Sequence, residues 1–166
     1  LNHLQRLRHA IDVYAVATVQ EEVGLRGAMT STFGIAPHVG IAVDVGFAKQ
    51  PGVPEHQSAK QGGGPVIAKG ANIHPDVFAA LREAADAARV RYQTEIVPAN
   101  TGTDAWAMQV IRDGVPTGLL SIPLAYMHST VETVDLEDIG ETGRLLAEFA
   151  SCIDLDRVRG WQRVPV

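Results

Sequence analysis

Four residues with metal-binding or acid–base side chains follow, or lie within, runs of apolar residues. Glu21 and Glu22 come directly after "DVYAVATVQ", Asp44 lies in "IAVDVG", and His128 follows "TGLLSIPLAYM". Carboxylate oxygens and imidazole nitrogens are the usual ligands of Zn²⁺ and similar divalent ions. Two adjacent carboxylates repel each other, and a bound cation would remove the cost of burying one of them. The other carboxyl group could then hold a proton at a raised pKa and act in acid–base catalysis.

These side chains come together only if the apolar runs are strands of one sheet. Residues 12–20, 38–46 and 117–128 are short and rich in Val, Ala, Ile and Leu, which is typical of strands buried on both faces. We expect each candidate residue at or just beyond the end of its strand, with the second strand ending at Asp44. Sites in open α/β sheets form at the carboxyl ends of strands, so the three strands would bring all four side chains to one edge.

Helices are predicted between and after these strands. Pro75 begins a run of good helix formers over 75–90, with Asp76 in its first turn. Strands that alternate with helices indicate an α/β layered domain. Further helices are predicted over 24–33, 100–114 and 134–153, and a helix tail over 1–10 with Leu1, Leu4 and Leu7 on one face. Further strands are predicted over 65–73 and 91–98, and a loop over 47–64. The last helix should bury one face, formed by Leu136, Ile139, Leu145, Leu146 and Phe149.

Composition narrows the class of protein. The 166 residues carry a formal net charge of −5 with no basic patch, which argues against a nucleic-acid partner. Cys152 is the single cysteine and cannot form an internal disulfide, so a reducing cytoplasm is the expected compartment. No apolar run reaches the roughly 20 residues of a membrane span, and no basic-then-apolar leader opens the sequence.

Each candidate residue also has an ordinary structural interpretation. An adjacent glutamate pair is most often a solvated turn, and an aspartate such as Asp44 often caps a helix or forms a turn. A single histidine such as His128 is more often a satisfied core or surface residue. The pattern alone therefore leaves a metal site and purely structural roles open.

Five segments of the sequence resemble the TET-type metallo-aminopeptidases, the glutamyl or deblocking aminopeptidases, some of which are labelled endoglucanases. They are "DVYAVATVQEEVGLRGA", "IAVDVGFAKQPG", "GGGPVIAKGANIHP", "TGTDAWAMQVIRDGVPTGLLSIPLAYMHSTVE" and "VDLEDI", in that order between about residues 10 and 150. The resemblance implies a zinc-exopeptidase-like, three-layer αβα sandwich with a mixed, mostly parallel sheet. It also implies peptide substrates cleaved at the N-terminus and two divalent ions, Zn²⁺ or Co²⁺.

The resemblance assigns roles to the four candidate residues. Glu21 matches the catalytic general base, which takes a proton from the attacking water and passes it to the leaving amine. Glu22 and His128 match two ligands of one metal, and Asp44 matches a ligand of the second. A pair of cations would polarise the peptide carbonyl and hold the free α-amine of the substrate.

Three further residues match less specific parts of the family pattern. Thr103 and Asp104 match a Gly-Thr-Asp segment beside the substrate pocket, although a helix cap with an acidic first turn explains them about as well. Gly64, with Gly62 and Gly63, matches a Gly-rich approach to the site. For these glycines a plain flexible loop is the slightly favoured interpretation.

The resemblance also implies that parts of the family's catalytic domain are missing from residues 1–166. The family carries three more metal ligands upstream (a histidine and two aspartates, one of them bridging), the first strands of the sheet, and an inserted domain that builds tetrahedral dodecamers. We therefore expect residues 1–166 to be a partial catalytic domain that binds metal weakly and hydrolyses peptides poorly or not at all. An uncovered apolar sheet edge predicts self-association, as a homo-oligomer or with a partner fragment.

Two other functions stay open. One is a remnant that keeps the fold without enzymatic activity. The other is a glycoside hydrolase, as the endoglucanase label suggests. Sugar hydrolysis needs two opposed carboxylates and usually aromatic sugar platforms, and only 5% of the residues are aromatic, so this function ranks last.

Overall fold

The structure, a computed structural model, describes residues 1–162 as an α/β fold, as predicted. Pro75 opens the second helix as expected, with the His74 side chain accepting a hydrogen bond from the Asp76 backbone N–H at its start. The elements in chain order are α1 (Arg26–Ile35), β1 (Gly40–Phe47), β2 (Val66–Gly70), α2 (Pro75–Ala88), β3 (Gln93–Val97), α3 (Asp104–Met108), β4 (Thr117–Ala125), β5 (Thr133–Val134), α4 (Leu136–Cys152) and α5 (Leu155–Trp161), with short 3₁₀ helices at Leu4–Arg6, Glu21–Val23 and Glu55–Gln57.

The five strands form one mixed sheet in the order β1-β4-β2-β3, and β5 pairs with the end of β4. The β1–β4 and β2–β3 pairs are parallel, whereas β2 and β5 run antiparallel to β4. The carboxyl ends of β1 and β4 therefore lie at the same end of the sheet, where β2 and β3 begin. Asp44 pairs with Ser121, and Ser121 pairs on its other side with Val66.

Helices flank both faces of the sheet. A Cβ at Gly118 of β4 would lie 2.8 Å from Val77 and 3.0 Å from Leu81, so this face packs against α2. A Cβ at Gly40 of β1, on the opposite face, would lie 2.3 Å from Met108 of α3. Both faces of β4 are consequently covered, and all but one of its nine residues are buried. The largest fully buried apolar side chains are Ile67, Leu81, Leu119, Leu120, Leu145 and Val77.

The predicted strand over residues 12–20 is wrong. The segment forms no strand and pairs with none among the described residues, and most of its side chains are exposed. Val19, for example, is 66% exposed. Its Val- and Ala-rich composition is that of a buried strand, but a strand also needs a hydrogen-bonded neighbour, which composition cannot show.

The predictions for the helices need four corrections. The helix expected over 100–114 is only the five-residue α3, and the helix tail expected over 1–10 is a single 3₁₀ turn in which only Leu4 is buried. Helix α5 was not predicted. On α4, Leu145 and Phe149 face the core, but Leu136 and Ile139 are exposed, because the buried stripe begins with the polar Asp138 and Thr142 instead.

An apolar edge of the sheet is exposed, as expected. Val43, Val45 and Phe47 alternate along β1, an edge strand in the described part of the chain, and each is at least 36% exposed. Val13 and Val16 of the unpaired 12–20 segment are exposed as well. An unpaired edge with apolar side chains is a site for association with another chain.

One carboxylate of the sheet makes the stability depend on pH. Burial raises the pKa of Glu95, on β3, above the ordinary range of a glutamate. The folded state therefore holds this proton more tightly than the unfolded state does, and stability falls as pH rises through the raised pKa. Glu95→Gln should raise the free energy of unfolding at pH 7, by less than about 1 kcal/mol because solvent screens a half-exposed carboxylate.

Urea denaturation at two pH values checks this expectation. The gain should shrink below the ordinary glutamate pKa of about 4.3, where both states hold the proton. Asp12→Asn is the control, because Asp12 is exposed and no hydrogen bond or ion pair of its side chain is recorded among residues 1–162. A gain of the same size at low pH, or a loss at pH 7, would refute the assignment.

Candidate active site

Glu21 and Glu22 lie in a 3₁₀ turn between two strained positions. Gln20, just before the turn, has φ 60°, and Leu25, just after it, has φ 57°. Both are in the left-handed region, which is costly for residues other than glycine and which clusters at functional sites. Glu21 is partly buried and Glu22 is exposed. The prediction that the pair ends a strand is therefore wrong, but the chain does present both carboxylates on a defined turn.

Helix α1 holds the backbone that leads into this turn. The Gly27 backbone N–H donates a 2.9 Å hydrogen bond to the Val19 carbonyl. A Cβ at Gly27 would lie 2.3 Å from the Val19 nitrogen, so only glycine allows the helix to approach this closely. The first turn of α1 thus packs directly on the backbone two residues before Glu21.

Asp44 lies within β1, three residues before the strand ends, and not at its end as predicted. Strand β1 continues to Phe47 because the parallel pairing with β4 extends to Leu124. The Asp44 side chain is partly buried, and its Oδ1 accepts a 2.7 Å hydrogen bond from the Val45 backbone N–H. The other oxygen, Oδ2, makes no hydrogen bond recorded within the described residues and is available to a ligand.

His128 follows β4 on a loop that is fixed at two points. His128 has φ 61° and Tyr126 has φ 62°, so the chain turns sharply after the strand. The Tyr126 N–H donates to Gln50 Oε1, and the His128 N–H donates a 2.7 Å bond to Glu132 Oε1. Glu132 is a supporting residue that the sequence analysis did not single out, although it lies in the "YMHSTVE" segment.

The charges of these residues act on one another. Burial raises the pKa of Glu21 above its usual range; Asp44, Glu22 and Asp104 raise it further, and His128 lowers it. The pKa of Asp44 is raised as well, and burial is the largest cause. The hydrogen bond from the Val45 N–H lowers this pKa, whereas the charges of Asp104 and Glu22 raise it further. The four predicted residues therefore share one electrostatic neighbourhood, and Asp104 belongs to it.

Thr103 and Asp104, which were predicted together, have different contacts in the structure. Thr103 is the N-cap of α3, and its Oγ1 accepts a hydrogen bond from the Ala105 N–H. Asp104 Oδ2 accepts a 2.7 Å hydrogen bond from Thr18 Oγ1, across 86 positions of the sequence. The other oxygen, Oδ1, is buried and has no hydrogen-bond partner among the described residues.

The Gly62–Gly64 segment is not the plain flexible loop that was favoured. The buried Asp138 carboxylate accepts hydrogen bonds of 2.8 Å from the Gly62 N–H and 2.7 Å from the Gly64 N–H. Gly64 has φ 84°, and a Cβ there would lie 1.9 Å from the Arg91 carbonyl oxygen. Position 64 is therefore fixed by packing between β3 and α4, which is a structural role.

The candidate ligands fit a divalent ion in chemistry but do not complete a site. Glu22, Asp44 and Asp104 raise the pKa of Glu21 while His128 alone lowers it, so acidic groups outnumber the imidazole here and a cation would balance them. Within residues 1–162, however, no three His, Cys, Asp or Glu side chains converge closely enough to hold a metal ion. A catalytic zinc normally has three protein ligands.

Comparison with known proteins decides the family. The sequence profile of the M42 glutamyl aminopeptidases matches residues 1–145. The chain belongs to this family. Its M42 relatives include the lysyl aminopeptidase of Pyrococcus furiosus, which is 48% identical over 137 residues, covering 82% of this chain and 40% of the relative.

Several solved structures share the fold. The TET aminopeptidase of a marine sediment archaeon of the Thaumarchaeota superposes with a TM-score of 0.87 at 32% identity, over 95% of this chain and 45% of that one. A putative peptidase/endoglucanase superposes with a TM-score of 0.73 at 39% identity, over 93% and 46%. The chain spans less than half the length of these relatives.

Among the helices of residues 1–162, none has both the length and the apolar character of a membrane span.

Proposed function

We propose that this chain carries part of the active site of a metal-dependent aminopeptidase, which removes N-terminal residues from peptides. The observation that supports this most is the shared neighbourhood of Glu21, Glu22, Asp44 and His128, in a chain of the M42 family. The names of the relatives, aminopeptidases for lysyl and glutamyl residues among them, favour peptides over other substrates.

Glu21 is the residue we assign to proton transfer. Its raised pKa allows the carboxylate to take a proton from an attacking water and return it to the leaving amine. The partly buried turn keeps this carboxylate close to the other acids, which makes proton uptake easier than for a solvated glutamate. Asp104, the first residue of α3, supports the site in this proposal through its contact with Thr18, while Thr103 caps α3 and Gly64 keeps its structural role.

Glu22 and His128 would hold one divalent ion, and Asp44 would be a ligand of a second. A bound divalent ion supplies Lewis acidity for the peptide carbonyl. The strained turn positions Glu22, and the contact with Glu132 positions the backbone of His128. Zn²⁺ and Co²⁺ are the proposed ions, because both accept carboxylate and imidazole ligands.

We expect residues 1–166 by themselves to bind Zn²⁺ or Co²⁺ weakly and to hydrolyse peptides slowly. Two ligands for one ion and one for the other are fewer than a catalytic metal needs. Calorimetric titration with each ion, paired with hydrolysis of lysyl and glutamyl p-nitroanilides, tests this. Tight binding of two ions with rapid turnover would contradict the ligand count. No binding at millimolar metal would contradict the ligand assignment and favour a remnant without activity.

Association of chains is proposed through the exposed sheet edge at Val43, Val45 and Phe47. Two of the similar solved structures are a TET1 dodecamer and a TET1 peptidase that forms a tetrahedron or an octahedral shell, so assembly is common among these relatives. The exposed Cys152 and the charge of −5 are consistent with a cytoplasmic protein that binds neither nucleic acid nor membranes.

A further inference from the structure

The hydrogen bond between Thr18 and Asp104 joins two distant parts of the chain beside the proposed catalytic glutamate. Thr18 lies three residues before Glu21, on the unpaired segment, and Asp104 is the first residue of α3. Their side chains meet at 2.7 Å. A hydrogen bond from a hydroxyl to a carboxylate is roughly twice as strong as one between neutral groups. This contact is strong enough to fix the position of an otherwise exposed segment.

Among residues 1–162, one other hydrogen bond is recorded between this segment and another element near the turn. The Gly27 N–H holds the Val19 carbonyl from the side of α1. Val19 and Gln20 are themselves exposed, and no strand pairs with residues 12–20 in the described part of the chain. The backbone entering Glu21 is thus clamped between α1 at Val19 and α3 at Thr18. Loss of either clamp would free the approach to a turn whose preceding residue is held at φ 60°.

Asp104 is not needed as a helix cap, because the Thr103 side chain already occupies that role. The Asp104 carboxylate is directed instead towards the segment that precedes Glu21, and its second oxygen is buried. This orientation differs from a side chain that projects into open solvent to meet a substrate. The contact with Thr18 is the only hydrogen bond recorded for this carboxylate among residues 1–162.

We propose that Asp104 is a positioning residue that acts through the Thr18 hydroxyl to hold the Glu21 turn in its active geometry. The proposal rests on the proposed function for its catalytic consequence, but the tether itself does not depend on that function. A carboxylate that must take a proton loses rate when its position is not fixed, and displacements near 1 Å can cost on the order of 100-fold.

Amide exchange provides a test that needs neither metal nor substrate. The Gly24, Leu25 and Gly27 amides are bonded to carbonyls in and before the turn and report on its opening. In the purified 166-residue chain, Thr18→Val and Asp104→Ala should each speed their exchange about 5- to 10-fold, the effect of one lost hydrogen bond. The double variant should be no faster than either single variant, since both remove the same contact.

Conservative variants and a matched control complete the exchange test. Thr18→Ser keeps the hydroxyl, and Asp104→Asn keeps an acceptor oxygen, so both should exchange nearly as slowly as the unaltered chain. Thr94→Val is the control, because Thr94 is exposed on β3 and no hydrogen bond of its hydroxyl is recorded among residues 1–162. Unchanged exchange in Thr18→Val, or additive effects of the two substitutions, would overturn the proposal.

Hydrolysis of an aminoacyl anilide tests the catalytic consequence. Thr18→Val should lower kcat about 10-fold at unchanged KM, and Thr18→Ser should restore it. A raised KM with unchanged kcat in Asp104→Ala, and a normal Thr18→Val, would show Asp104 contacting substrate instead and overturn the proposal. Absence of any hydrolysis by the unaltered chain would reflect its short set of metal ligands, and the exchange measurements alone would then decide on the tether.

Discussion

Replacing Glu21 with Gln should lower kcat for peptide hydrolysis by about 10²–10⁴-fold, the usual contribution of a general base. The amide has the shape of the carboxyl group but cannot accept and return the proton. Binding of Co²⁺ should persist, because the metal ligands in this account are Glu22, Asp44 and His128. The measurement is hydrolysis of an aminoacyl p-nitroanilide, with the Co²⁺ affinity determined by titration on the same preparation.

The neighbouring glutamate gives the matched comparison. Glu22→Gln should lower both Co²⁺ affinity and activity, whereas Glu137→Gln, at an exposed position of α4, should change neither. A Glu21→Gln variant that keeps its activity would remove Glu21 from the mechanism. A Glu21→Gln variant that loses Co²⁺ binding to the same degree as Glu22→Gln would make Glu21 a ligand and not a base.

The second large effect is expected at Asp138, where substitution by Ala should lower the free energy of unfolding by about 2–4 kcal/mol. Asp138 is 1% exposed and holds the Gly62 and Gly64 amides with both of its oxygens. Its loss leaves two buried N–H groups without an acceptor. For a chain of this size the change corresponds to a fall of about 4–16 °C in Tm, measured by thermal denaturation.

An exposed aspartate on another helix provides the control for Asp138. Asp86→Ala on α2 should change the stability by no more than about 0.5 kcal/mol, because surface substitutions away from special contacts have small effects. If Asp138→Ala were equally mild, the Gly62–Gly64 segment would not depend on its carboxylate. A flexible loop would then describe that segment better.

The parts of the fold that the sequence predicts well are those set by local signals. Pro75 and the good helix formers after it mark α2, and the Val-rich run around Ile41 marks β1. The strand prediction for residues 12–20 is wrong because their composition is typical of a strand, whereas strand formation also depends on a neighbouring strand. The inner face of α4 fails because the buried stripe includes Asp138, whose burial is compensated by backbone amides far away in the sequence.

The same distinction between local signals and long-range contacts applies to the candidate site. Residue types and order make Glu21, Glu22, Asp44 and His128 candidates, since carboxylate and imidazole chemistry is visible in the sequence. The contacts that hold them are not visible there. Asp104 meets Thr18 across 86 positions, an interaction that no local spacing encodes. Sequence reasoning therefore names the reactive groups more readily than the residues that position them.

Crystals of the chain soaked in millimolar Zn²⁺ and measured for anomalous scattering test the central claim most directly. The account predicts a zinc peak bonded at roughly 2 Å to the Glu22 and His128 side chains, with the Glu21 carboxylate beside it and unbonded. A peak held by other residues, or no peak near the Glu21–Glu22 turn at full soak concentration, would contradict the assignment of this neighbourhood as a metallo-aminopeptidase site.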